Sequence, residues 1–140
     1  MPRGGMDTIL VVDDSPTIRR MVRASLAALP AVTFVEAASG LQAIEALAVS
    51  RVQMVILDLN MPDMHGLDVL RFVRSHDNYK HVPVLILTTR GDQVSRDAAV
   101  HAGASAYMTK PFAPASLAAS VTELMDLSGT RGVSLPSRHV

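Results

Sequence analysis

Residues 54–57, Met-Val-Ile-Leu, are apolar at every position and run straight into Asp58. A strand with one solvated face alternates apolar with polar, whereas one that is apolar throughout is covered on both faces, as in a parallel sheet between layers of helices. The segment therefore predicts a buried strand. The polar, Pro- and Gly-containing turn that follows, Asn60-Met61-Pro62-Asp63-Met64-His65-Gly66, puts Asp58 at the rim of the sheet. Residues 8–12, Thr-Ile-Leu-Val-Val, repeat the pattern and end on the pair Asp13-Asp14.

The rest of the chain alternates strands with helices. Ser15-Pro16 reads as an N-cap followed by proline at the first helical position, and Ile18, Met21, Val22, Leu26 and Leu29 share one helical face before Pro30 ends it. Residues 32–35 form a second strand, and Ser39-Gly40 opens a second helix with Leu41, Ile44, Leu47 and Ala48 at helical spacing. The third strand is 54–58. A third helix starts near Gly66, carries Leu67, Val69, Leu70 and Val73, and ends before the polar stretch 76–81. A fourth strand over 82–87 leads into Thr88-Thr89-Arg90-Gly91, after which Asp92 caps a fourth helix reaching Ala102, with Gly103 as C-cap. Residues 104–108 make a short fifth strand ending at Thr109-Lys110-Pro111, and a fifth helix over 114–127 shows Leu117, Val121, Leu124 and Met125 on one face.

Five strands alternating with five helices across short connections define an α/β fold, a doubly wound parallel sheet. The chain has 140 residues, 49% of them hydrophobic, enough for one core; residues 8–127 are expected to form a single domain between a flexible N-terminus, 1–7, and a flexible tail, 128–140. Thirteen basic residues balance 13 acidic ones, which argues against wholesale binding to DNA or to an anionic membrane. The absence of cysteine excludes disulfides and thiolate metal sites. The opening residues lack the apolar stretch of a signal peptide, and no apolar run approaches the roughly eighteen residues that span a bilayer. A cytoplasmic protein without membrane insertion is the expectation.

In a parallel sheet, ligands sit outside the carboxyl ends of the strands, where the strand order switches. The residues at those ends are Asp13 and Asp14, Asp58, Thr88 and Lys110. Carboxylates gathered on one rim repel one another and call for a cation. Two carboxylates, a backbone carbonyl near Asn60 and waters suit Mg²⁺, which keeps water and bridges to phosphate. An aspartate beside Mg²⁺ and a lysine can attack a phosphoryl group while Thr88 offers a hydroxyl to one of its oxygens, an acyl-phosphate chemistry.

On the stretches Val11-Val12-Asp13-Asp14-Ser15, residues 57–66, Leu87-Thr88-Thr89 and residues 103–112, the chain resembles the receiver domain of bacterial two-component response regulators, in the stand-alone, chemotaxis-regulator-like (CheY-like) form, over about residues 8–127. The resemblance implies a flavodoxin-like (βα)5 fold with strand order 2-1-3-4-5. It further implies that Asp58 accepts a phosphoryl group from a phosphohistidine on a sensor histidine kinase or phosphotransfer protein. Asp14, Asp58 and the backbone carbonyl of Asn60 would bind Mg²⁺, Asp13 would act through water, and Thr88 and Lys110 would contact the phosphoryl oxygens. Thr88 and Tyr107 would form the switch, and phosphorylation would alter the surface of the fourth helix, fifth strand and fifth helix that a partner protein reads. Such a protein is a phosphoacceptor rather than an enzyme acting on an external substrate; it catalyses its own phosphoryl transfer and a slow autodephosphorylation. Asn60, Thr89 and Arg90 would tune the lifetime of the phosphoryl group, Thr89 being bulkier than the small residue frequent there.

Two other functions compete with this one. A phosphohydrolase with an aspartyl nucleophile is expected to carry an acid two residues later, where this chain has Asn60, and a receiver-like scaffold would have lost part of the acidic set or Lys110. No DNA-binding module follows residue 127, so output is expected through another protein, with the chain a monomer or weak dimer. His65, His76, His81, His101 and His139 show no ligand spacing, and Met21, Met54 and Met125 fall at core-facing positions. Arg19, Arg20 and Arg23 form either a solvated helix face or a docking surface for a kinase or phosphatase.

Overall fold

The computed structural model describes residues 6–128. Of the termini expected to be flexible, residues 1–5 and 129–140 lie outside that range. The order is β1 (Asp7–Val12), α1 (Pro16–Ser25), β2 (Val32–Ala37), α2 (Gly40–Val49), β3 (Met54–Leu57), α3 (Gly66–Ser75), β4 (Val84–Thr88), α4 (Gln93–Ala102), β5 (Ala106–Thr109) and α5 (Pro114–Ser128). The strands form one parallel sheet in the order β2-β1-β3-β4-β5, as the resemblance implied.

Strand alternation divides the core into two layers. Leu10, Val12, Val55, Leu57, Val84 and Ile86 point to one face, where Ala43 and Leu47 of α2, Val69, Leu70 and Val73 of α3 and Ala99 of α4 cover them. Ile9, Val11, Met54, Ile56, Leu85 and Leu87 point to the other, under Val22 of α1 and Leu117, Val121 and Met125 of α5. Both faces being covered is why β1, β3 and β4 read as unbroken apolar runs. Right-handed crossovers account for the split: the chain moves outward from β1 to β2 with its helix on one face, then reverses to β3, β4 and β5 with α2, α3 and α4 on the opposite face. The reversal leaves β1 and β3 adjacent, with Val12 beside Leu57, so that Asp13 and Asp58 emerge side by side.

Several sequence expectations require correction. Met21 is 44% exposed, and Val22 and Leu26 fill the core position beneath α1. Leu41 and Ala48 face solvent, because the stripe that meets the sheet runs Gly40, Ala43, Leu47, with Ile44 half-buried at its edge. α1 ends at Ser25 rather than at Pro30: Ala27 N–H and Leu29 N–H bond to carbonyls three residues back, a tightened turn that the residue before a proline favours over continued helix.

The last three strand boundaries also shift. The Asp58 N–H still bonds to the Val12 carbonyl at 3.0 Å, but β3 closes at Leu57. β4 begins at Val84, since the Val82 carbonyl is taken by the Arg74 guanidinium at 2.6 Å and the Val82 N–H by Tyr79. β5 begins at Ala106, since the Ala104 N–H closes α4 by bonding to Ala99, around Gly103 at φ 106°.

Candidate functional site

At the carboxyl edge of the sheet, Asp13, Asp14 and Asp58 each present an oxygen within 4.8 Å of the others. Asp13 and Asp58 are buried and Asp14 is exposed, so the cluster has a closed side and an open one. The closed side is occupied by Lys110, whose Nζ lies 2.6 Å from Asp13 Oδ2 and 3.4 Å from Asp58 Oδ2. Burial raises the Asp13 carboxyl above its ordinary value, an effect opposed by the Lys110 hydrogen bond and by the Ser15 N–H at 2.9 Å. A buried carboxylate beside two others, with one ammonium between three acids, leaves net negative charge in a partly dry site. That donor set, all oxygen and open on one side, fits a hard divalent cation.

Backbone placement makes this geometry possible. The Asn60 N–H turns back to Asp58 Oδ1 at 3.3 Å, and Gly66 N–H bonds to Leu59 O at 2.8 Å. A Cβ on Gly66 would lie 2.3 Å from the Asp58 carbonyl oxygen, so only glycine lets α3 begin this close to Asp58. The same loop is fastened to α2 by Asp63, which accepts the Gly40 and Leu41 N–H groups at 3.0 Å each and is held below the ordinary carboxylate value by them. His65 caps α3 through Nδ1, accepting from Leu67 N–H at 3.1 Å.

Thr88 is fully buried at the end of β4, and its carbonyl accepts the Lys110 N–H at 2.8 Å. Its hydroxyl oxygen accepts a long bond, 3.4 Å, from the Arg90 N–H. The Tyr107 hydroxyl donates to the Arg90 carbonyl, and Arg96 covers the Tyr107 ring with Cζ 4.8 Å from its centroid. Burial raises the Tyr107 phenol above its ordinary value, with the Arg96 charge opposing the shift. Asn60, Thr89 and Arg90 are exposed, the Arg90 side chain reaching Asp92 at 3.4 Å. The structure therefore gathers Asp13, Asp14, Asp58 and Lys110 in one cluster and links Thr88 to Tyr107 through the loop after β4.

Two contributors escaped the sequence reading. Gly66 stood inside the stretch that carried the resemblance, but its close approach to Asp58 has no local signature. Arg19, grouped with Arg20 and Arg23 on the first helix, donates to the Asp13 carbonyl at 2.6 Å and to Glu36 at 2.7 Å. It braces the β1–α1 loop from behind the cluster.

A parallel sheet with this strand order and an acidic switch-point crevice closed by a lysine defines a receiver-type α/β domain. The sequence matches the family described as response regulator receiver domain over residues 9–122, and the chain belongs to that family. It is 40% identical over 107 residues to the chemotaxis protein CheY1 of Helicobacter pylori, covering 76% of this chain and 86% of that protein. Among solved structures it is similar to the chemotaxis response regulator CheY4 of Vibrio cholerae, with TM-score 0.78, 33% identity, and 85% and 98% of the two chains covered. It is also similar to the BeF3-activated DrrB receiver domain, with TM-score 0.76, 30% identity, and 86% and 98% covered. The chain is thus a CheY-like receiver domain of the two-component class. Among the described residues no helix is long and apolar enough to cross a membrane.

Proposed function

We propose that this domain is a phosphorylation switch in which Asp58 accepts a phosphoryl group from a phosphohistidine on a sensor histidine kinase or a phosphotransfer protein. The observation that carries the reading is the placement of Asp58, buried at the end of β3, with one carboxylate oxygen 3.4 Å from Lys110 and two further carboxylates beside it. An Asp58 oxygen attacks phosphorus, the phosphorus–nitrogen bond breaks with its electron pair on the imidazole nitrogen, and that nitrogen takes a proton from solvent. Lys110 neutralises charge on the transferring oxygens, moving part of its contact from Asp13 to the phosphoryl group. Asp14, Asp58 and the Asn60 carbonyl would hold Mg²⁺, with Asp13 acting through water. When bound, the ion would supply positive charge to the phosphoryl oxygens. Hydrolysis by water restores the Asp58 carboxylate and releases phosphate, at a rate tuned by the exposed residues Asn60, Thr89 and Arg90.

The Thr88 hydroxyl bonds to a phosphoryl oxygen once one is present, at the expense of its long contact with Arg90 N–H. Because Tyr107 is bonded to the carbonyl of Arg90, the same residue whose N–H contacts Thr88, a change at Thr88 reaches Tyr107 through one residue. Two conformations of this loop and of the α4, β5 and α5 surface then bind a partner protein with different affinity. The domain acts in the cytoplasm, as a monomer or weak dimer, without DNA or membrane contacts of its own.

Beryllofluoride, which mimics a phosphoryl group on a carboxylate, tests the reading. In the presence of Mg²⁺ it is expected to change the tyrosine fluorescence of the wild-type protein and to leave Asp58→Asn unchanged. An equal response in both, or a response without Mg²⁺, contradicts the assignment.

A further inference from the structure

We propose that Arg96 is a latch on the switch: a positioning residue that clamps the Tyr107 ring to the loop between β4 and α4 and sets how readily Tyr107 leaves that position. The inference rests on the reading of Thr88 and Tyr107 as the switch and adds the residue that biases it. Arg96 lies in the first turn of α4, with Cζ 4.8 Å from the Tyr107 ring centroid and Nε donating to the Gly91 carbonyl at 3.3 Å. The Tyr107 hydroxyl takes the preceding carbonyl, that of Arg90. Two consecutive carbonyls of one loop are therefore held by a tyrosine and by the arginine stacked on it, a closed three-way contact. Opening any side weakens the other two.

The charge of Arg96 is available for this role. The neighbouring carboxylate, Asp92, is engaged by Arg90 at 3.4 Å and by the N–H and hydroxyl of Ser95 at 3.0 Å. A guanidinium over a half-exposed ring favours the stacked arrangement by about two- to fivefold in equilibrium constant. Movement of Tyr107 must give up that contact together with its hydrogen bond, so Arg96 sets the resting ratio of loop-bound to released tyrosine. The charged groups around the ring are Arg90, Asp92 and Arg96.

The chain has two tyrosines and no tryptophan, so a Tyr79→Phe background leaves Tyr107 as the sole intrinsic fluorophore. Acrylamide quenching of that protein, without Mg²⁺ or phosphodonor, reads the latch independently of any chemistry at Asp58. Arg96→Gln is expected to shift the ratio about two- to fivefold toward released tyrosine, seen as stronger quenching. Arg96→Lys, which keeps a cation over the ring without the planar stack, is expected to return quenching part of the way toward wild type. Wild-type quenching in Arg96→Gln, with the helical circular dichroism unchanged, overturns the proposal. A separate arm with beryllofluoride and Mg²⁺ tests the switch reading: a Tyr107 signal that ignores beryllofluoride refutes that reading, whatever the metal-free variants show.

Discussion

At the residue scale, the site depends on close approaches as much as on charged groups. Gly66 is the sharpest case, because a methyl there would overlap the Asp58 carbonyl oxygen, a backbone atom that cannot rotate away. Gly66→Ala is expected to force α3 and the Asp58 strand end apart, lowering stability by about 1–3 kcal/mol, the usual range for overpacking. Urea unfolding with the slope held common to both proteins measures it; an unchanged midpoint contradicts the fit described. Asp58 and Asp13 were readable from sequence because each ends an apolar run, and Lys110 because it follows a strand, since strand ends in a parallel sheet meet at one edge. Gly66 and Arg19 were not readable in this role, because their partners are the backbone carbonyls of residues on other elements, Asp58 and Asp13, which leave no pattern in side-chain chemistry.

At the element scale, α1 is tied to β2 by electrostatics. Glu36 accepts from Arg19 at 2.7 Å and from Arg23 at 2.9 Å, and chiefly through the Arg19 hydrogen bond its carboxyl is held below the ordinary value of 4.5. A group whose folded pKa is depressed contributes stability that is fully present above the unfolded value and is lost as pH falls through the folded one. The wild-type protein is therefore expected to lose more stability than Glu36→Gln as pH drops from neutrality to below 4.5, the two curves converging at the acid end. Denaturation midpoints across that range check it, and parallel curves contradict it. The contact is largely exposed, so the effect is small and screened by salt. It also narrows the two readings of the arginine cluster: Arg19 and Arg23 are committed to Glu36.

Helical periodicity located every helix but not the edges of its buried stripe. Met21 and Leu41 satisfy the spacing, yet each sits a turn-shoulder away from the residues that meet the sheet, Val22 and Ala43. Ala43 is small enough to bring α2 against the sheet, and apolar content alone does not rank it above a leucine. Glu36 interrupts the apolar run of β2, which hid the last two residues of that strand, Glu36 and Ala37, although both pair in register with β1.

At the scale of the whole molecule, the topology brings the site together. Reversal of strand order after β2 sets β1 beside β3, and parallel strands then deliver Asp13, Asp58, Thr88 and Lys110 to one edge from four separate parts of the chain. The central claim is that this edge transfers a phosphoryl group to Asp58. Intact mass after incubation with a small phosphodonor and Mg²⁺, beside Asp58→Asn and a metal-free control, tests it most directly. The account predicts one added phosphoryl group on the wild-type chain, absent in both controls. An adduct of equal yield on Asp58→Asn, or no adduct in a protein that also fails to bind beryllofluoride, would contradict it.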